Sequence, residues 1–254
     1  MQTFTVDKLT VRRFPTREEM GASAAADIKR RVSALLREKE MINIIFAAAP
    51  SQNEVLAALA ADTDIPWDRV RAFHMDEYIG LPADAPQGFG NFLKERLFGP
   101  AGLKNVFYID GTAADAAGEC RRYAALLEEY PPDIVVLGIG ENGHIAFNDP
   151  PVADLHDPEA VKTVRLDDVC RRQQVNDGCF ADLSGVPETA VTLTIPALLA
   201  GQYLFCVVPA ASKAKAVRDT LRGEIGEHCP ATALRRHPNA VLYLDGDSAS
   251  LLDL

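Results

Sequence analysis

The sequence predicts an α/β fold, a three-layer α/β/α sandwich with a mostly parallel, Rossmann-like sheet, as one domain over residues 1–254. Three observations carry that expectation. Segments with helical periodicity alternate with short apolar segments, and strand–helix–strand order favours parallel strands layered by helices. The run Ile134-Val-Val-Leu137 is apolar throughout, as suits a strand covered on both faces. It enters the glycine-rich turn Gly138-Ile-Gly140-Glu-Asn-Gly143, and the carboxyl end of a strand is where open α/β sheets bind ligands.

The elements follow in order. Thr16-x-x-Glu19 is a capping box, and Met20, Ala24, Ile28, Val32 and Leu35 trace one apolar face of a long first helix. Ile42 to Phe46 reads as the next strand. Periodicity places further helices at 53–61, 91–98, 113–128 and 213–222. Strands are expected at 70–74, 106–109, 134–138, 161–165, 203–208 and 240–244. The proline-rich residues 150–158 are expected to form a mobile flap over a cleft.

Composition bounds the function. A chain of 254 residues with 48% hydrophobic and 24% charged side chains can bury a large core. A net charge of −10 argues against nucleic acid as a partner, because phosphate backbones demand clustered Lys and Arg. No apolar stretch has the length of a membrane span, and the first residues lack the pattern of a secretory signal, so a cytoplasmic protein with no membrane partner is expected. Cys120, Cys170, Cys179, Cys206 and Cys229 contain no Cys-x-x-Cys, which fits a reducing compartment. The five histidines show no metal-ligand spacing, and neither metal nor cofactor is expected.

Two segments carry ionisable groups at strand ends. In the glycine-rich loop, His144, Glu141, Asn142 and Asp149 are candidates for acid–base chemistry on a small molecule. Gly138, Gly140 and Gly143 match a dinucleotide fingerprint nominally, but Pro150 and Pro151 end any following helix, so that assignment is rejected. In Phe73-His-Met-Asp76-Glu77-Tyr78, successive side chains point to opposite faces. One of Asp76 and Glu77 therefore faces a cleft while the other braces the loop.

Together with Val161-Lys-Thr, Thr192-Leu-Thr-Ile-Pro-Ala-Leu-Leu199 and Lys213-Ala-Lys-Ala, these motifs resemble the glucosamine-6-phosphate deaminase (isomerase) family, which shares its fold with the 6-phosphogluconolactonases. Met75-Asp76-Glu77-Tyr78 and His144-Ile-Ala-Phe-Asn148 are similar to the deaminase versions of the motifs. The resemblance implies that Asp76 moves a proton between the two carbons next to a sugar carbonyl and that His144 assists opening of the pyranose ring. Hydrolytic loss of ammonia would follow, without a cofactor. The family flanks this histidine with an aspartate and a glutamate; here Asn142 and Asp149 stand there, and Asn142 cannot accept a proton.

The expected phosphate contacts also depart from the family pattern. A Thr-Gly-Gly-Thr loop is replaced by Ala47-Ala-Ala49-Pro50-Ser51-Gln52, which keeps a hydroxyl at Ser51 but sets Pro50 where an N–H is expected. By the resemblance, Ala49, Ser51, Gly140 and Lys213 meet the phosphate. The family's second basic contact falls in Arg171-Arg172-Gln173-Gln174; Arg172 is taken for it, although ungapped matching sets a glutamine there. Hydrolysis of a sugar-phosphate lactone and non-catalytic sugar-phosphate sensing are the alternatives. Relatives include hexamers and monomers, so a homo-oligomer stays open.

Overall fold

The computed structural model describes residues 1–252. Its strands are β1 (Gln2–Val6), β2 (Leu9–Arg13), β3 (Ile42–Phe46), β4 (Val70–His74), β5 (Asp76–Tyr78), β6 (Asn105–Phe107), β7 (Ile134–Leu137), β8 (Val161–Arg165), β9 (Thr189–Leu193), β10 (Tyr203–Val208) and β11 (Ala240–Leu244). The α-helices are α1 (Arg17–Leu35), α2 (Asn53–Ala61), α3 (Phe89–Leu93), α4 (Ala116–Glu129), α5 (Asp168–Asn176), α6 (Ile195–Leu199) and α7 (Ala214–Arg222).

Eight strands form one sheet in the order β1-β2-β11-β10-β7-β3-β4-β6, parallel except where β1 and β2 pair as a hairpin. Strands from both ends of the chain thus lie in one sheet. Side chains of the central strands alternate between two cores. Ile44, Val136 and Val207 pack with α1 and α2, while Ile45, Val135 and Cys206 pack with α4 and α7. That alternation makes three layers: every central strand is buried on both faces, so continuous apolar runs are required there.

From β3 the chain builds outward through β4 and β6, then returns to β7 beside β3 and builds the other way through β10 and β11. The strand order reverses between β3 and β7. A crevice opens at the carboxyl ends of strands at such a reversal, because their connections leave on opposite sides.

Several expectations change. Residues 161–165 do form a strand, but β8 lies outside the parallel sheet, in an antiparallel group ordered β5-β9-β8. Its Val161 and Val164 point to opposite faces and pack into the two different cores, while Thr163 and Arg165 are exposed. The helix expected over 91–98 starts at Phe89 and continues as a wider π-type turn, Lys94–Phe98. The helix expected from 113 starts at Ala116 because Asp115 caps it, accepting the Gly118 N–H at 2.9 Å. The β1–β2 hairpin, β5, β9, α5 and α6 were not anticipated.

Candidate active site

The cleft lies at the strand-order reversal, walled by the chain that follows β3, β4, β7 and β10. After β4 the chain bends at Met75 into β5, and β5 pairs with β9 so that Asp76 stands opposite Thr192. This departure from the main sheet aims Asp76 into the cleft. Its carboxylate is buried and accepts no hydrogen bond from any described residue. Burial, and then the charge of Glu77, push its pKa well above the usual carboxylate range. A carboxylate so treated is a stronger base once ionised.

Glu77 lies on the opposite face of β5. Its Oε1 accepts the Tyr78 and Phe89 N–H groups at 2.9 and 3.0 Å, and its Oε2 accepts the Gly90 N–H at 2.9 Å. Glu77 therefore ties the first turn of α3 to the strand that carries Asp76, and it does not line the cleft with Asp76. Behind the pair, fully buried His74 accepts the Ile109 N–H at Nε2 (2.9 Å), so Nδ1 carries the proton and donates to the Asp76 carbonyl (2.8 Å). Burial lowers the His74 pKa to about 4, and the ring is neutral at physiological pH.

His144 lines the same cleft as Asp76. Its Nδ1 is 2.7 Å from Asn142 Oδ1 and 2.9 Å from Asp149 Oδ1. Both neighbours are acceptors, so Nδ1 bears the proton and Nε2 is left with a lone pair. The Asn142 amide donates to Asp149 Oδ1 at 2.8 Å, which fixes the orientation of Asn142. Burial raises the Asp149 pKa, but the attraction of a protonated His144 ring and hydrogen bonds from His144 and Asn142 outweigh it, leaving it below the usual range. Asp149 thus reaches the ring despite its short side chain and supplies the negative charge that Asn142 lacks. The loop is pinned from below: Thr192 Oγ1 accepts the Phe147 N–H, and the Asn148 amide donates to the Leu193 carbonyl.

The other end of the cleft holds Lys213. Its side chain is buried, with no hydrogen bond or ion pair among the described residues. Burial lowers its pKa, while Asp177 and Glu141 oppose that shift. A buried ammonium without a partner is costly, so its presence points to an anion as its complement. Ala49 and Ser51 line the same end, and the Ser51 hydroxyl accepts from Gln52 at 3.2 Å while keeping its own proton to donate. Gly140 also lines the cleft, but it lies directly under the His144 ring, where a Cβ would collide. Arg172 is exposed and outside the cleft; Gln173 and Gln174 occupy the wall instead. The reason is helical phase, because α5 turns Cys170, Gln173 and Gln174 inward and Arg172 outward. The proline-rich residues 150–158 contribute nothing to the lining either, and Lys162 holds them through the Val152 carbonyl and Asp157.

Three roles were missed from the sequence. Gln174 was signalled by the ungapped match but passed over for a cation. His74 acts through hydrogen bonds, and Cys170 packs within 4.8 Å of the His144 and Asp149 ligand atoms, which no spacing announces. The ligand atoms of His144, Asp149 and Cys170 lie within 4.8 Å of one another and are the one such group that could hold a metal among the described residues. Asp149 Oδ1 and Asn142 already occupy His144 Nδ1, and burial pushes the Cys170 thiol far up, against the thiolate a metal needs.

The cleft encloses about 70 Å³. Small-molecule sites typically offer roughly 300 Å³ or more, so binding requires its walls to part. A neighbouring cavity of about 240 Å³ shares Ala48, Ala49, Phe89 and Gln174 with it, so movement of Phe89 and Gln174 would join the two. A larger groove of about 780 Å³ lies between α4 and β8, but it is mostly apolar and brings no acid–base pair together.

Fold and cleft define a class: an α/β protein whose strand-order reversal gathers a buried carboxylate, Asp76, an imidazole, His144, and a buried lysine, Lys213, around one cleft. The chain belongs to the glucosamine-6-phosphate isomerase/6-phosphogluconolactonase family, whose model matches residues 15–243. It is 34% identical to a glucosamine-6-phosphate deaminase of Listeria innocua over 83% of this chain and 88% of that one. A second such deaminase, from Bacillus cereus, is 33% identical over 87% of this chain and 82% of that one. Among solved structures, a monomeric glucosamine-6-phosphate deaminase superposes with a TM-score of 0.87 at 30% identity, covering 95% of this chain and 99% of that one. A 6-phosphogluconolactonase from Thermotoga maritima shares the fold, with a TM-score of 0.76 at 22% identity, over 94% of this chain and all of that one. No helix among the described residues is long and apolar enough to cross a membrane.

Proposed function

We propose that the protein is an amino-sugar phosphate isomerase/deaminase, converting glucosamine-6-phosphate or a close relative to a ketose 6-phosphate and ammonia. One observation carries the reading: a buried carboxylate with a raised pKa and no hydrogen-bond partner faces the same cleft as the free Nε2 of His144.

In this mechanism His144 Nε2 takes the proton from the anomeric hydroxyl and returns it to the ring oxygen, opening the pyranose. Asp149 holds the imidazolium that forms in between, as a hydrogen-bonded buried carboxylate can. Asp76 then removes the proton on carbon two of the open aldehyde, giving an enolamine, and delivers it to carbon one. The resulting imine at carbon two adds water and expels ammonia. Lys213 and Ser51 hold the anionic end, and burial of the cleft strengthens each of these interactions. Glu77 acts as a positioning residue. The route uses no cofactor, and the cytoplasm is the compartment assigned to it.

Lactone hydrolysis would use His144 to activate water and leave the Asp76 carboxylate without a task. The test is ammonia release from glucosamine-6-phosphate, with galactosamine-6-phosphate and 6-phosphogluconolactone alongside. We expect release from an amino sugar, reduced by about 10²–10⁴-fold in Asp76→Asn with ligand binding retained. Turnover preserved in Asp76→Asn, or activity on the lactone alone, would refute the assignment.

A further inference from the structure

One segment singled out in the sequence, Thr192-Leu-Thr-Ile-Pro-Ala-Leu-Leu199, has no part in the chemistry described so far. Thr192 is fully buried and does not line the cleft, yet it adjoins the supports of both Asp76 and His144. On one side it stands opposite Asp76 in the antiparallel pairing of β5 and β9. The Leu193 N–H donates to the Met75 carbonyl at 2.8 Å and the Ile79 N–H to the Thr189 carbonyl at 3.0 Å, so Asp76 and Thr192 fall between hydrogen-bonded positions of the ladder. Opposed side chains at such a position share a face and approach closely, with Cβ atoms about 4.5–5.5 Å apart.

On the other side, Thr192 Oγ1 accepts the Phe147 N–H at 3.1 Å and donates to the Leu193 carbonyl at 3.0 Å. The same carbonyl accepts the Asn148 amide at 2.8 Å, and that amide also donates to the Ile145 carbonyl at 2.9 Å. These bonds hold the tight turn of residues 145–148, which follows His144 directly and is closed by the Asn148 N–H on the Ile145 carbonyl at 3.2 Å. Within it Ala146 has φ 48°, a left-handed conformation that residues with a Cβ disfavour, so the turn needs outside support to keep its shape. Ala146 and Phe147 both line the cleft.

We propose that Thr192 is a positioning residue: β9 is the common template that fixes His144 relative to Asp76, through strand pairing on one side and through the Thr192 hydroxyl and Leu193 carbonyl on the other. This rests on the deaminase reading for the reaction being positioned, but its geometric part is separable from that reading. The hydroxyl transfers no proton itself, because its hydrogen is committed to the Leu193 carbonyl and its oxygen to Phe147. Its effect is on geometry, where a misplacement on the order of 1 Å costs about 10²-fold in rate.

Thr192→Val keeps the shape of the side chain and removes both hydrogen bonds of the hydroxyl, whereas Thr192→Ser retains them. Ammonia release from glucosamine-6-phosphate is measured per folded molecule, the folded fraction being read from circular dichroism, so that lost stability alone leaves the rate unchanged. The His144 ring is followed in parallel by imidazole nitrogen NMR, its signals being assigned by their loss in His144→Gln. We expect Thr192→Val to lower kcat by about 10²-fold while KM moves less than about threefold, since Lys213 and Ser51 still hold the anionic end. The single Nδ1–H tautomer of His144 should give way to a mixture. Thr192→Ser should return both readouts to the wild-type values.

An unchanged kcat per folded molecule in Thr192→Val, or an equal loss in Thr192→Ser, would overturn the inference and leave the deaminase reading standing. No ammonia from the wild-type protein would overturn that reading instead, and an unchanged tautomer in Thr192→Val would then overturn the positioning as well. Should Thr192→Val not fold, Asn148→Ala removes the turn's other bond to β9 and should lower kcat per folded molecule in the same way; an unchanged rate there would likewise overturn the inference.

Discussion

At the scale of the residue, the adjacent carboxylates Asp76 and Glu77 have unlike tasks because the strand turns them to opposite faces. Glu77 spends its oxygens on three backbone N–H groups, whereas Asp76 spends its own on none. The two remain coupled, since the Glu77 charge contributes to the raised pKa of Asp76. Glu77→Gln removes that charge, so the Asp76 pKa falls and the acid limb of the kcat/KM profile moves to lower pH. The same change removes charge from a three-bond clamp and should cost about 1–3 kcal/mol of stability. A pH–rate profile with a denaturant titration checks both, and an acid limb that stays in place would detach Glu77 from the base. The local pattern revealed that one carboxylate faces the cleft and the resemblance pointed to Asp76; the pairing of Asp76 with Thr192 across β5 and β9 supplies the geometry that turns it there.

At the scale of the element, two tight turns position His144 and Lys213. Gly140 passes beneath the His144 imidazole so closely that any Cβ would overlap the ring. Gly140→Ala should displace the ring and lower kcat by about 10²-fold, as a misplacement on the order of 1 Å does, while anion binding at Lys213 persists. Loss of activity and anion binding together would indicate a general collapse of the loop instead. The turn before Lys213 contains Ala210 at φ 82° and ψ 147°, a conformation that suits glycine, held by hydrogen bonds from its N–H to Asp245. The strain is worth roughly 1–3 kcal/mol, and glycine's extra backbone entropy offsets about 0.5–1 of it. Ala210→Gly should therefore raise unfolding free energy by about 1 kcal/mol, read by denaturant titration. At this scale the apolar runs of β3, β7 and β10 announced themselves, whereas β8 was read as another parallel strand. Its Val-Lys-Thr-Val-Arg carried the contrary signal, because a central strand buried on both faces reads as a continuous apolar run and this one is broken by three polar residues.

At the scale of the whole molecule, a neutral histidine buried behind the site couples stability to pH. The folded His74 pKa lies near 4, below its unfolded value of 6.5, so the unfolded chain binds the extra proton between those values. Its contribution to stability is present in full above about pH 6.5 and is lost as pH falls toward 4, by about 3 kcal/mol. Unfolding free energies across that range should show the slope in the wild type and not in His74→Gln; a shared slope would assign it elsewhere. The same architecture decides how the site is assembled. The sequence by itself determined the layered α/β class, the family, and the two segments bearing Asp76 and His144, because apolar period and local motifs are properties of contiguous residues. Tertiary structure alone decided that Gln174 and not Arg172 faces the cleft, that Asp149 reaches the His144 ring, and that Lys213 is buried in the cleft wall. Those facts depend on helical phase and on strands far apart in the chain meeting at the reversal between β3 and β7, which no local pattern encodes.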